Sequence, residues 1–145
     1  MDARFSYREA AVRGASREKL VVLLYEQMIE DLRRAVSALE RRDVEERTRE
    51  INHAILVLAH LENSLDKERG GVVARNLERF YEIVRQGLVE AQCQQSGEGI
   101  KEQIELLMLV RDAWLEVDRA SAVPSGNGEN SQATAAPFNS LKWRA

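Results

Sequence analysis

The chain has 145 residues, enough for one domain with a tail, and its 44% hydrophobic and 31% charged content provides for a core under a solvated surface. Twenty-one Lys+Arg against 24 Asp+Glu give a net charge of −3, which argues against the basic patch of a nucleic-acid binder. A single cysteine, Cys93, excludes an internal disulfide and suits a reducing cytosol, and no run reaches the roughly 20 apolar residues of a membrane span. The opening residues Met1-Asp2-Ala3-Arg4-Phe5 lack the apolar region of a secretory signal.

Both prolines, Pro124 and Pro137, lie beyond residue 120, so nothing before them forbids long helices. Four helical stretches are predicted in chain order. The first follows Ser16, a good N-cap, and runs to about Arg41. Asp43-Val44-Glu45-Glu46 resembles a capping box and opens a second helix to about Leu65. Gly70-Gly71 punctuates the chain before a third, Val72 to Gln94, and Gly97-Glu98-Gly99 breaks it before a fourth, Ile100 to Ala120. Short connections between long helices make antiparallel neighbours. The expected fold is all-α, an antiparallel up-down four-helix bundle over residues 16–120. A short N-terminal arm, 1–15, precedes it and a disordered tail, 121–145, follows it, because SAVPSGNGENSQATAAPFNS is too poor in large apolar groups to offset its ordering entropy. Phe138 and the closing Leu141-Lys142-Trp143-Arg144-Ala145 are the less polar part of that tail.

The helices carry more apolar residues than one core-facing stripe requires. With Leu24 as reference, Leu20, Val21, Met28, Ala35 and Leu39 fall within about 100°, while Leu32, Tyr25, Val36, Ile29 and Val22 extend the apolar arc to about 200°. On the second helix Ile51, Ile55, Leu58 and Leu65 read as the core stripe, with Leu56 and Val57 turned away. Leu77, Phe80, Val84 and Leu88 line the third, with Ile83 facing elsewhere. Ile100, Ile104, Leu107, Val110 and Trp114 line the fourth, leaving Met108 and Leu109 off it. Contiguous apolar surface of this kind marks a partner-binding face.

Catalytic chemistry is not legible. Glu50-Ile51-Asn52-His53 has the spacing of a di-iron bundle motif, but such sites need it twice plus two further glutamates, and His60 has Val57 three residues before it. His53 therefore reads as a surface or half-buried histidine, and no metal or cofactor is expected. Neither histidine has the lysine and small neighbours of a phosphorelay site. Cys93 has no nearby histidine or basic cluster and reads as a buried or inert thiol. Gly70-Gly71 lacks the Lys-Ser/Thr of a phosphate loop. The chain reads as a binding protein, not an enzyme.

An ordered set of motifs spans residues 7–118: Tyr7-Arg8-Glu9-Ala10-Ala11-Val12 before Ala15-Ser16, Leu20-Val21-Val22-Leu23-Leu24-Tyr25-Glu26, Ser64-Leu65-Asp66-Lys67-Glu68-Arg69-Gly70-Gly71, Ala74-Arg75-Asn76-Leu77, Phe80-Tyr81 and Arg111-Asp112-Ala113-Trp114. Together they resemble the flagellar secretion chaperone family, FliS. Two departures, Arg17 where the family usually has proline and Gln27 where it often has glycine, leave a helix feasible. The resemblance implies a cytosolic helical bundle that holds the disordered C-terminal segment of flagellin, prevents its premature polymerisation and presents it to the flagellar type III export gate. The client-binding face expected on that basis is Val22, Tyr25 and Ile29, joined by Leu56, Val57, Met108 and Leu109. Phe5 and Tyr7 in the arm are expected to act as a lid over it, or to touch the export gate. A generic helical adaptor for another amphipathic client is the competing expectation, with a metal or phosphorelay bundle further behind.

Overall fold

The computed structural model describes residues 16–122, and the arm with its Phe5 and Tyr7, like the tail beyond Ala122, lies outside the described residues. Four helices account for nearly all of the described chain: α1 Arg17–Glu40, α2 Val44–Asn63, α3 Lys67–Gln94 and α4 Gly97–Ala122. Their starts follow local chemistry. Ser16 Oγ accepts from the Lys19 amide at 3.1 Å, Asp43 Oδ1 from Glu46 at 3.1 Å, and Asp66 Oδ1 from Arg69 at 3.0 Å, each filling a backbone donor that a helix start leaves open. The Glu46 carboxylate turns to Arg41 at 2.5 Å, so only half of the expected capping box forms.

Two expected breaks move. α3 begins at Lys67, not Val72, and bends at Gly71, whose φ of 54° and ψ of −129° suit a residue without Cβ. The α3–α4 turn lies at Gln95-Ser96: Gln95 closes α3 in the left-handed region, and Ser96 Oγ accepts from the Gly99 amide at 2.9 Å. The glycines at 97 and 99 are thus inside α4.

Each helix packs on its chain neighbours, and α1 also packs on α4, which closes the four into a bundle. Ser16 Oγ donates to Asp118 Oδ1 at 2.6 Å, pinning the start of α1 to the end of α4. The core is built from Tyr25, Met28 and Leu32 of α1, Ile51, Leu58 and Leu61 of α2, Leu77, Phe80, Val84 and Leu88 of α3, and Ile100, Leu107 and Val110 of α4. Inside it the Tyr25 and Tyr81 hydroxyls lie 2.9 Å apart.

The division of α1 into core and partner face holds only in part: Met28 and Ala35 are core as expected, but the residues given to the partner face are buried too. Val22, Tyr25 and Ile29 are buried, whereas Leu24, the assumed centre of the core stripe, is 36% exposed. The reason is that α1 is held between α2 and α4. Its buried positions, Val22 to Ala38, sweep about 220° of the helix, so two flanks and a core take up most of the apolar arc and leave Leu24 exposed and Val21 and Val36 partly buried. Val57 is likewise core, not surface. The buried row of α2 is Glu50, Ala54, Val57 and Leu61 beside Ile51 and Leu58, one position off the expected stripe. Cys93 is exposed, so the expectation of a buried thiol fails in its first half.

Candidate functional site

The outer surface carries grooves between helices in place of one deep pocket. At one end, Val21 of α1, Leu65, and Val73, Ala74 and Leu77 of α3 form an apolar floor above Tyr81 and Trp114, in a hollow of about 360 Å³. Arg17, Glu18, Asp66 and Arg69 make its charged rim. The bend at Gly71 shapes this end, since the chain enters α3 from a different direction than the helix then takes.

A second groove, about 300 Å³, runs between α1 and α4 over Val36 and Ile104, flanked by Arg33, Lys101 and Glu105. Met108 continues this line: Arg33 Nη2 approaches its Sδ at 3.8 Å. Both walls are aliphatic stems with charged tips, a surface that accepts apolar side chains and keeps its ions in water. A third depression lies between α3 and α4 around Ile83, Gly87 and Gln103.

Of the residues expected at the partner face, Leu56 and Leu109 are exposed, at 56% and 54%, and Met108 is half-buried beside the α1–α4 groove. Leu56 on α2 and Leu109 on α4 stand on helices that do not touch each other, so they do not belong to one patch. Val22, Tyr25, Ile29 and Val57 are spent on the core. Of the groove residues, the sequence pattern assigns Val21 and Leu65 to the core, passes over Val73, and places Val36 in the excess apolar arc without naming it a contact. Each is a partly buried side chain packed on the core's edge. Periodicity marks such positions as apolar but cannot say which side of the edge they occupy.

The contact of α1 with α2 is different in kind, because it is sealed by polar groups. Asp31, fully buried, accepts from Gln27 Nε2 at 2.7 Å and from Arg34 at 3.0 Å, and its second oxygen lies 2.5 Å from His53 Nδ1. Arg34 also reaches Glu50 at 3.5 Å. Burial raises the Asp31 pKa, and the bonds from His53 and Gln27 partly pull it back. His53 is half-buried, as read from the sequence. Glu50 and His53 are occupied by Arg34 and Asp31, and no group of three metal-ligating side chains gathers among the described residues. The Tyr25 and Tyr81 hydroxyls are held above the ordinary tyrosine pKa by burial, which keeps the pair neutral.

Comparison with known proteins agrees with this architecture. The family model of FliS, the flagellar protein, matches residues 1–121. The flagellar secretion chaperone FliSB of Pseudomonas aeruginosa is 37% identical over 106 residues, covering 73% of this chain and 84% of that protein. The flagellar secretion chaperone FliS of Salmonella typhimurium is 31% identical over 110 residues, covering 75% of this chain and 82% of its own length. That of Campylobacter jejuni is 30% identical over 119 residues, with 82% and 91% covered. The chain belongs to the FliS family, whose members are chaperones and not enzymes.

Proposed function

We propose that this chain acts in the cytosol as an export chaperone for flagellin. It holds the disordered C-terminal segment of that client, prevents premature polymerisation and delivers the subunit to the flagellar type III export apparatus. The observation that carries the reading is the set of shallow apolar-floored grooves between helices, spread over more than one side of a single bundle. A small ligand would call for one concave pocket. A long segment laid down as helices and extended stretches would instead use several grooves, each taking a few apolar anchors. Val36, Ile104 and Met108 form one such seat, and Val21, Leu65 and Val73 another, with Leu56 and Leu109 as outer contacts.

Release is built into this mode. The client orders on binding, and that ordering costs a few kcal/mol of the gross interaction, which keeps a large contact area reversible. Calorimetry tests the proposal directly. Heat is expected with full-length flagellin at about one to one, and none once the client's C-terminal segment is deleted. Equal heat from the deleted form would overturn the assigned segment and favour a generic adaptor. Val36→Asp with Met108→Asp should weaken the full-length interaction with the helical signal unchanged, since both side chains are only partly buried.

A further inference from the structure

We propose that the groove between α3 and α4 is a binding site for the chain's own segment Phe138–Arg144. The family match covers residues 1–121, and this segment lies beyond it. The inference is independent of how the client is held.

The groove contains an unmet demand. Gln103 of α4 is 7% exposed, and its side-chain oxygen has no hydrogen-bond partner. A buried amide oxygen left unpaired costs about 1–3 kcal/mol, so such a group calls for a donor. Gln103 lies against Gly87 of α3, where a Cβ would stand 2.1 Å from its amide nitrogen. The absence of a side chain at 87 thus leaves the amide at the bottom of two adjoining hollows of about 410 and 240 Å³, which share Gly87, Glu90 and Gln103. Ile83 gives the larger one an apolar wall.

The rim is acidic. Glu82, Glu90 and Glu102 line the two hollows and form no ion pair among the described residues, and Arg79 is the one cation among the lining side chains. A complementary ligand therefore carries positive charge, large apolar groups and an N–H that can reach the floor. Phe138-Asn139-Ser140-Leu141-Lys142-Trp143-Arg144 combines all three. Lys142 and Arg144 meet the carboxylates, Phe138 and Leu141 cover Ile83, and the Trp143 indole or a backbone N–H donates to the Gln103 side-chain oxygen once the amide turns it out of its sealed position.

The tether has the right length. Gln103 and Ala122 are separated along α4 by about 28 Å at 1.5 Å per residue. Fifteen residues, 123–137, lie between Ala122 and Phe138, and Gly, Ser, Ala and Asn make up most of them. Such a linker has a root-mean-square span of about 20–24 Å and a limit near 55 Å. A linker whose natural span is close to the gap gives an effective concentration near its maximum, so even a weak segment occupies the groove.

Cys93, exposed on α3 one turn beyond Glu90 and the only cysteine, is a native attachment point for a nitroxide. In the full-length protein so labelled, the amide resonances of Leu141–Arg144 are expected to lose intensity relative to those of the linker, and to recover when the nitroxide is reduced. Lys142→Glu with Arg144→Glu should abolish the loss, and so should Gln103→Met, which keeps the volume and removes the acceptor. A flat intensity profile along the tail, or a loss that survives either change, would overturn the proposal. Mixing nitroxide-labelled chains with isotope-labelled, nitroxide-free chains separates self-docking from exchange. Broadening in the mixture would assign the segment to a second copy and reject the intrachain contact.

Discussion

Two helix pairs of this bundle bury polar side chains and treat them in opposite ways. Between α1 and α2, Asp31 is fully buried and surrounded by Gln27, Arg34 and His53 within hydrogen-bond distance. Between α3 and α4, Gln103 is almost as deep, but its oxygen is left without a donor beneath an acidic rim. The first arrangement closes a seam, since both oxygens of the buried Asp31 carboxylate are matched. The second leaves a seat open. Gln27 Oε1 is also buried without a partner, so an unpaired oxygen does not by itself separate the two seams; what sets Gln103 apart is that it lines an open groove with an acidic rim.

The largest expected effect tests which side of α1 belongs to the sealed interior. Ile29→Asp places a carboxylate at a position 2% exposed and should destabilise by about 4 kcal/mol or more, enough to unfold many domains of this size. Leu24→Asp, at 36% exposure, should cost about 1 kcal/mol or less. Urea unfolding followed by circular dichroism distinguishes them; equal loss in both variants would mean that the buried arc of α1 is wider still.

That contrast also shows what the sequence could and could not reveal. Proline-free length and the caps at Ser16 and Asp43 place four helices. The cap at Asp66 goes unread, and the glycine pair at 70–71, read as a break, is a bend inside α3, so the expected start at Val72 falls five residues after the observed one at Lys67. The 200° apolar arc of α1 was legible too, but its meaning was not. A helix with a neighbour on each flank and a helix with one neighbour plus a binding face show the same periodicity. Only the α1–α4 contact, between segments at opposite ends of the chain, decides between them. Leu56 and Leu109 were read correctly as outward because each lies opposite a well-marked core stripe. The groove at Gly87 was not legible, because it depends on which residue of α4 faces that glycine.

The sealed seam should fail by a smaller but clear amount. Asp31→Ala removes the acceptor shared by Gln27, Arg34 and His53 and should cost about 3 kcal/mol, and Gln27→Met, which loses a bond to a buried carboxylate, about 1.5 kcal/mol. If Asp31→Ala leaves the urea midpoint in place, the network is decoration on a seam closed by packing.

The Tyr25–Tyr81 pair contributes a pH-dependent increment of its own. Both hydroxyls have pKa values above the unfolded value near 10, so the unfolded chain loses its protons first. The stability they contribute is present in full below about pH 10 and is lost as pH rises above it. Tyr81→Phe should cost about 1 kcal/mol at neutral pH and make the alkaline decline shallower. An alkaline limb of unchanged steepness would assign the decline to other groups.

The smallest effect is the most informative about the open side. Gln103→Met keeps the side chain's length and volume against Gly87 and removes an acceptor that has no partner. The fold loses no donor–acceptor pair at that oxygen and is relieved of a desolvated polar atom, so stability should shift by no more than about 0.5 kcal/mol, and in the stabilising direction. The same exchange at Gln27, on the sealed seam, is the reference for what a structural glutamine costs. Should Gln103→Met instead destabilise as much as Gln27→Met, then Gln103 holds α3 and α4 together through its amide nitrogen, and the groove is a by-product of that contact. Near-neutrality at 103 beside a clear cost at 27 would mean that the bundle carries this polar group for something outside its own packing.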